Sequence, residues 1–284
     1  LTSITGIYGV GFMIGLTASL LTWARHINFQ QAVVITPLLI LLLVHGTIWA
    51  YGSFRLKAKT TVDKVTYVAG ITVPLNSESI IFSDIDYTQV GTLLKDTLNV
   101  FKDVYLLNKP VPASQREVID KWFTNIHQKL LSQTAIAADR DAKIVVQSEG
   151  NGLALKHQED TFIEQYQQLA VEKDIVLLAT LNTKTLDQTR SENKVVAIDP
   201  KGQVVFTHLK SYPVPEAENS VKGDGLLKTI TRAYGEISTV ICFDADFPRL
   251  VRQAKRLESD LLFVPSFDWE AIDPYHTYHT YIAA

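Results

Sequence analysis

The chain has 284 residues, with 27 Lys and Arg against 30 Asp and Glu, a formal net charge of −3, and 46% hydrophobic residues. Its mean hydropathy is +0.08. This balance excludes a disordered chain, a collagen-like repeat and a strongly basic nucleic-acid binder, so no nucleic-acid partner is expected. The averages conceal a division at about residue 60. Residues 1–60 carry Arg25, Arg55, Lys57 and Lys59 and no acid, which leaves 23 basic and 30 acidic groups, net −7, over residues 61–284.

The N-terminal part reads as membrane material. Leu1 to Ala24 is uncharged, and so is Ile27 to Phe54, with only Arg25 and His26 between them. A helix needs about 20 apolar residues at ~1.5 Å each to cross a ~30 Å hydrocarbon core, and both stretches reach that length. No basic segment precedes the first stretch and a second follows at once, which disfavours a cleaved signal peptide. Two transmembrane helices are therefore expected in a membrane region spanning 1–60, with residues 61–284 forming a separate domain. Gly11 and Gly15 have the spacing of a close helix–helix contact, and glycine is also simply common in membrane helices. Arg55, Lys57 and Lys59 after the second stretch place residues 55–284 in the cytoplasm on the positive-inside rule. The single cysteine, Cys242, excludes an internal disulfide. The start at Leu1 and stop at Ala284 predict a piece of a longer protein, with its C-terminal end truncated.

From Val62 the chain alternates strand and helix signals. Val65, Tyr67 and Ala69 alternate as in a half-buried strand. Ser114 and Glu117 form a capping box for a helix presenting Val118, Trp122, Ile126 and Leu130. Lys143 to Gln147 reads as a buried strand. A helix from about Asp160 to Glu172 follows, with Phe162, Ile163, Tyr166, Leu169 and Ala170 on one face. Asp174 to Thr180 is a strand. Lys194 to Ile198 and Val204 to Phe206 form a hairpin about Asp199-Pro200-Lys201-Gly202, which has turn chemistry. Tyr212 to Gly225 reads as a long loop, and Asn76 to Thr88 has no clear pattern. Ile237 to Cys242 is a strand, Phe247 to Leu257 a helix and Leu261 to Pro265 a strand. The pattern predicts an α/β domain with helices packed on sheets.

Three reactive residues stand where apolar runs end. Glu149 follows Ile144–Val146 and precedes Gly150-Asn151-Gly152; Lys210 follows Val204–Phe206; Cys242 closes Ile237–Ile241. Strand ends in α/β folds hold side chains rigidly at a cleft. A thiol needs a base, and an acyl-transfer oxyanion needs a cation or donors; Glu, Lys and Cys supply these roles. A lone cysteine in an apolar run is also commonly a core residue, and a Glu or Lys after a strand is commonly solvated, so spacing leaves both readings open.

The words around these residues narrow the choice. Val145-Val146-Gln147-Ser148-Glu149, His208-Leu209-Lys210 and Val240-Ile241-Cys242-Phe243-Asp244-Ala245-Asp246-Phe247-Pro248 occur in this order. They resemble the three catalytic blocks of the nitrilase, or carbon–nitrogen hydrolase, superfamily. The apolar segments ahead of them, and Val214-Pro215-Glu216-Ala217-Glu218 after the lysine, resemble the apolipoprotein N-acyltransferase branch. The resemblance implies a nitrilase-like αββα sandwich preceded by two transmembrane helices. It implies Glu149 as general base, Cys242 as nucleophile and Lys210 as stabiliser of the tetrahedral intermediate. Glu218, the backbone N–H of Phe243, and Asp244 are implied as supporting groups. The implied reaction moves a phospholipid acyl chain, through a thioester on Cys242, to the N-terminal amine of a lipoprotein, with no metal or other cofactor. The implied location is a bacterial inner membrane, multi-pass, with the catalytic domain outside the cytoplasm, against the positive-inside count.

The chain departs from that pattern at several points. Asp244 stands where the family commonly has Glu, Ser211-Tyr212-Pro213 follows the lysine, and Ala217 replaces Gly. Trp269 and His276 fit the terminal block, while Ala283-Ala284 replaces Arg-Ala. His276 and His279 are spaced i, i+3 but no third metal ligand has suitable spacing. Arg249, Arg252, Lys255 and Arg256 form a basic helix face, read as solvated. Two other functions share these features: a membrane-tethered amidase or nitrilase-type hydrolase using the same three residues with water as acceptor, and a catalytically dead scaffold. An intact Glu149, Lys210 and Cys242 set argues against the scaffold.

Overall fold

Two helices open the chain: α1, Thr2–His26, and α2, Ala32–Lys57. They are seen in a computed structural model that describes residues 2–26, 32–57, 65–73, 116–185 and 188–267. Ser114, Trp269, His276, His279 and the segment 76–88 lie outside the described residues. The chain divides into two units, one running up to Val65 and the other beginning at Thr66.

In the first unit, Ile35, Leu39, Ile40, Leu42, Leu43, Trp49 and Phe54 of α2 are all exposed. A helix apolar on every side is suited to lipid rather than water. Its polar side chains turn back on the helix itself: Thr47 Oγ1 donates to the Leu43 carbonyl and His45 Nδ1 to that of Leu41, as Thr17 and Thr22 do in α1. That is how polar groups are satisfied without water. Among the described residues one stretch is long and apolar enough to cross a membrane, Val34–Phe54. The expectation of two spans is thus met by one; α1 is a helix of 25 residues. A Cβ at Gly11 or Gly15 would meet open space, so neither glycine is needed for a close approach among the described residues.

The second unit is built on two sheets. Six strands form the larger: β1 (Tyr67–Ile71), β2 (Ala142–Gln147), β3 (Leu153–Leu155), β4 (Val176–Lys184), β5 (Ser191–Ile198) and β6 (Val204–Leu209). Their order is β1-β2-β4-β5-β6, with β3 paired to the far end of β4. β1, β2 and β4 are parallel, and β4, β5 and β6 run antiparallel. The smaller sheet holds β7 (Thr229–Arg232), β8 (Gly235–Thr239) and β9 (Leu261–Phe263) in the order β7-β8-β9.

Strand periodicity divides the apolar residues between two cores. Val145, Leu177, Ala179, Val196 and Ile198 face α3 (Arg116–Asp139) and α4 (Glu159–Lys173), meeting Trp122, Phe123, Ile126, Leu130, Phe162 and Tyr166. Ile144, Val176, Leu178, Val195, Ala197 and Phe206 face the other way and pack on Ile230 and Ile237 of the second sheet and on Ile241 just beyond β8. Strands covered on both faces read as continuous apolar runs, which is why these segments were legible as strands. On the outer side of the second sheet, Leu250 and Ala254 of α5 (Pro248–Arg256) pack with Val240 and Leu262. The layers are therefore helix, sheet, sheet, helix.

The predicted elements agree with these except at details. The strand expected to reach Cys242 stops at Thr239, and Cys242 opens a 3₁₀ turn, Cys242–Asp246. The short β3 and β7 carry no pattern long enough to read. The hairpin turn is held by Asp199, whose Oδ1 accepts the N–H groups of Lys201 and Gln203, with Gly202 at φ +74°. The basic face of α5 is exposed, as read.

Candidate active site

Glu149 lies two residues beyond β2, in a tight turn pinned to its neighbours. Gly150 takes φ +75°. A Cβ on Gly152 would lie 1.8 Å from the Thr180 carbonyl oxygen, so this loop can touch β4 only with glycine there. Thr180 Oγ1 donates to the Ser148 carbonyl at 2.7 Å, and Asn151 Oδ1 accepts the Val73 N–H at 2.6 Å.

Lys210 follows β6. Its N–H donates to the Asn193 carbonyl at 2.8 Å, extending the β5–β6 ladder by one rung. The side chain turns inward and is fully buried. Its Nζ donates to Glu149 Oε1 at 2.8 Å and to Glu218 Oε1 at 2.6 Å. Glu218 closes the loop after Lys210, with Oε2 accepting the Val214 N–H at 3.2 Å.

Cys242 is 8% exposed and has φ +45°, a left-handed conformation that costs a non-glycine residue about 1–2 kcal/mol. Its N–H donates to the Pro265 carbonyl at 3.0 Å. Backbone strain of this kind clusters at functional sites.

The charges explain one another. Burial works against a charged Lys210, yet Glu149, Cys242 and Glu218 outweigh it and hold the ammonium above the usual lysine range. Glu218 is pushed above the ordinary carboxylate range by burial first, against the pull of Lys210. Glu149 accepts from Lys210 and from Asn193 Nδ2 (2.7 Å) on Oε1, and from the Phe267 N–H (3.0 Å) on Oε2. A carboxylate has about four lone-pair sites, so these three bonds leave room on Oε2 for a proton. Lysine has three N–H donors, two of them used among the described residues; the third suits an oxyanion. Because the Cys242 N–H is committed to Pro265, the next backbone donor along the turn is that of Phe243.

Glu149, Lys210 and Glu218 are thus joined by direct bonds, and Cys242 acts electrostatically on Lys210. Asp244, fully buried, bonds His208 and three backbone N–H groups. Sequence reasoning missed Asn193 and the Phe267 N–H. Asn193 was not recoverable by counting the hairpin register outward from Asp199–Gly202, because a register shift between Ala197 and Ile198 comes in before Asn193 meets Lys210. No three His, Cys, Asp or Glu side chains cluster as a metal site among the described residues.

Residues 111–283, more than half of the chain, match the family described as carbon-nitrogen hydrolase. The chain belongs to that family. No curated protein matches it. Solved structures similar to this carbon-nitrogen hydrolase include an amidase from Nesterenkonia sp. (18% identity, TM-score 0.43, covering 51% of this chain and 59% of that one). A carbon-nitrogen hydrolase from Helicobacter pylori G27 has 17% identity and TM-score 0.47, covering 55% and 63%. Saccharomyces cerevisiae Nit3, a member of branch 10 of the nitrilase superfamily, has 20% identity and TM-score 0.47, also covering 55% and 63%. The chain spans about three fifths of the length of these proteins.

Proposed function

We propose that this carbon-nitrogen hydrolase family member is a membrane-bound N-acyltransferase whose nucleophile is Cys242. The observation that carries the proposal is the buried Glu149–Lys210–Glu218 cluster acting on Cys242, in a chain that also holds the apolar helix α2. Glu149 Oε2 takes the Sγ proton as sulfur attacks the ester carbonyl carbon of a phospholipid. The oxyanion is met by the remaining Lys210 N–H and the Phe243 N–H. As the tetrahedral intermediate collapses, the C–O bond breaks, and the lysophospholipid leaves with the proton returned by Glu149. The thioester on Cys242 is then attacked by the free amine of a lipoprotein; Glu149 accepts the amine proton and passes it to the departing thiolate.

Membrane attachment by two helices, α1 and α2, fits this chemistry. Both substrates are lipid-anchored, and extracting an acyl chain into water costs about 0.8 kcal/mol per CH₂. Glu218, bonded to Lys210, stands at the end of Val214–Glu218, the segment that resembles the acyltransferase branch. The bacterial inner membrane, with the catalytic unit outside the cytoplasm, is the location this reading assigns.

The test incubates the full chain in phospholipid vesicles with a lipopeptide bearing a free N-terminal amine. Release of lysophospholipid and N-acylation of the peptide are the expected results. Hydrolysis of small amides to acid and ammonia, with no lysophospholipid released, would replace the proposal by a membrane-tethered hydrolase using the same residues.

A further inference from the structure

Lys210 and Cys242 are each flanked in sequence by residues that bond one buried carboxylate. Asp244 Oδ1 accepts the N–H groups of Ser211 (3.0 Å) and Tyr212 (2.8 Å), the two residues after Lys210. Asp244 Oδ2 accepts the N–H of Ile241 (3.2 Å), the residue before Cys242. The fourth partner is a side chain: His208 Nε2, two residues before Lys210, lies 3.0 Å from the same Oδ2. Both side chains are sealed from solvent, His208 at 1% and Asp244 at 0% exposure. A carboxylate only accepts, so Nε2 carries the imidazole proton. The other ring nitrogen, Nδ1, has no hydrogen-bond partner among the described residues. Tyr212 also stacks on Phe247, centroids 3.7 Å apart, adding an apolar link between the same two segments.

We infer that His208 is a positioning residue, which through Asp244 locks the segment bearing Lys210 against the turn bearing Cys242. The inference rests on the reading of Cys242 as a nucleophile assisted by Lys210. Three of the four bonds to Asp244 come from the backbone; the imidazole is the side-chain partner, and it is the second donor on Oδ2 beside the Ile241 N–H. Without it, Asp244 loses a partner in a place water does not reach. The Lys210 segment is then held less tightly against the Cys242 turn, and the ammonium stabilises a thiolate less well.

The test needs no substrate. Iodoacetamide alkylation of Cys242 in the full, detergent-solubilised chain is followed by intact mass across a pH series. His208→Gln keeps an N–H donor near the position of Nε2, whereas His208→Met fills similar space without one. His208→Met is expected to raise the pH midpoint of alkylation by about one unit, slowing it about tenfold at neutral pH. His208→Gln is expected to stay within about threefold of wild type, the rescue that a donor role requires. Wild-type kinetics in His208→Met would overturn the inference, and so would equal losses in the two variants. If His208→Met does not fold, Asp244→Asn, which keeps the shape, must raise the midpoint; an unmoved midpoint overturns the inference. A wild-type Cys242 no more reactive than a cysteine in an unstructured peptide would instead overturn the nucleophile reading, and the inference with it.

Discussion

Two buried lysines on neighbouring parts of one sheet bond glutamates, and the two clusters are built for different ends. Lys194, on β5, donates to Glu159 Oε1 and Glu192 Oε2, each at 2.6 Å, and Lys156 bonds the same two carboxylates at 3.1 Å. Two cations meet two anions. Burial works against both acids, but Lys194 and Lys156 prevail and hold Glu159 and Glu192 below the usual carboxylate range. Around Lys210, one cation meets two anions, and Glu218 is pushed above that range instead. A matched cluster holds its protons fixed and serves the fold. A cluster with a surplus carboxylate beside a thiol has somewhere to put a proton, which acid–base chemistry requires.

This contrast can be broken most sharply at the reactive groups. Cys242→Ser is expected to lower acyl transfer by at least about 10³-fold, and Glu149→Gln by about 10²–10⁴-fold, both read from initial rates on a folded protein. Lys210→Met should cost at least about 10²-fold in kcat through the lost oxyanion partner. It should also leave Glu149 and Glu218 buried without their cation, so folding of that variant takes up a proton and its stability falls as pH rises, measured by denaturant midpoints.

Lys194→Met should have the opposite profile. It is expected to cost about 1–3 kcal/mol of stability, because Glu159 and Glu192 keep only Lys156, while the folded fraction keeps its kcat. If Lys194→Met abolished kcat at unchanged stability, the division between the clusters would be wrong. Gly152→Ala comes next, because its Cβ would collide with the Thr180 carbonyl; a loss of about 1–3 kcal/mol is expected in chemical denaturation.

The smallest effect is an acid titration. Glu159 and Glu192 have folded-state values below their unfolded ones. Their contribution is therefore complete above about pH 5 and is lost as pH falls through the lowered values. Wild type should lose stability over that acidic window, and Lys194→Met should lose less.

The sandwich was readable because its central strands are buried on both faces, so Ile144–Val146, Val176–Ala179 and Val195–Ile198 form dense apolar runs. Glu149, Lys210 and Cys242 were readable because each interrupts or ends such a run and sits in a family-like word. Residues that act through the backbone were not. Pro265 contributes a carbonyl and Phe267 an N–H, and any side chain would supply those atoms. His127 was also hidden: it occupies the apolar face of α3, where its Nε2 donates to the Leu153 carbonyl and Nδ1 accepts from Tyr166. Burial pushes it down to about 3, so it is a neutral core residue, and helical periodicity cannot mark a polar residue that packs as an apolar one. The turn at Cys242 was misread as strand because a left-handed φ in a cysteine leaves no trace in hydrophobic pattern.

Intact-mass analysis of the full chain after brief exposure to an acyl donor tests the central claim most directly, with phospholipid and a small amide offered separately. The account predicts one acyl increment, labile to hydroxylamine as a thioester is, present in the wild-type chain and absent in Cys242→Ser. An increment that persists in Cys242→Ser, or none in the wild type from either donor, would contradict it.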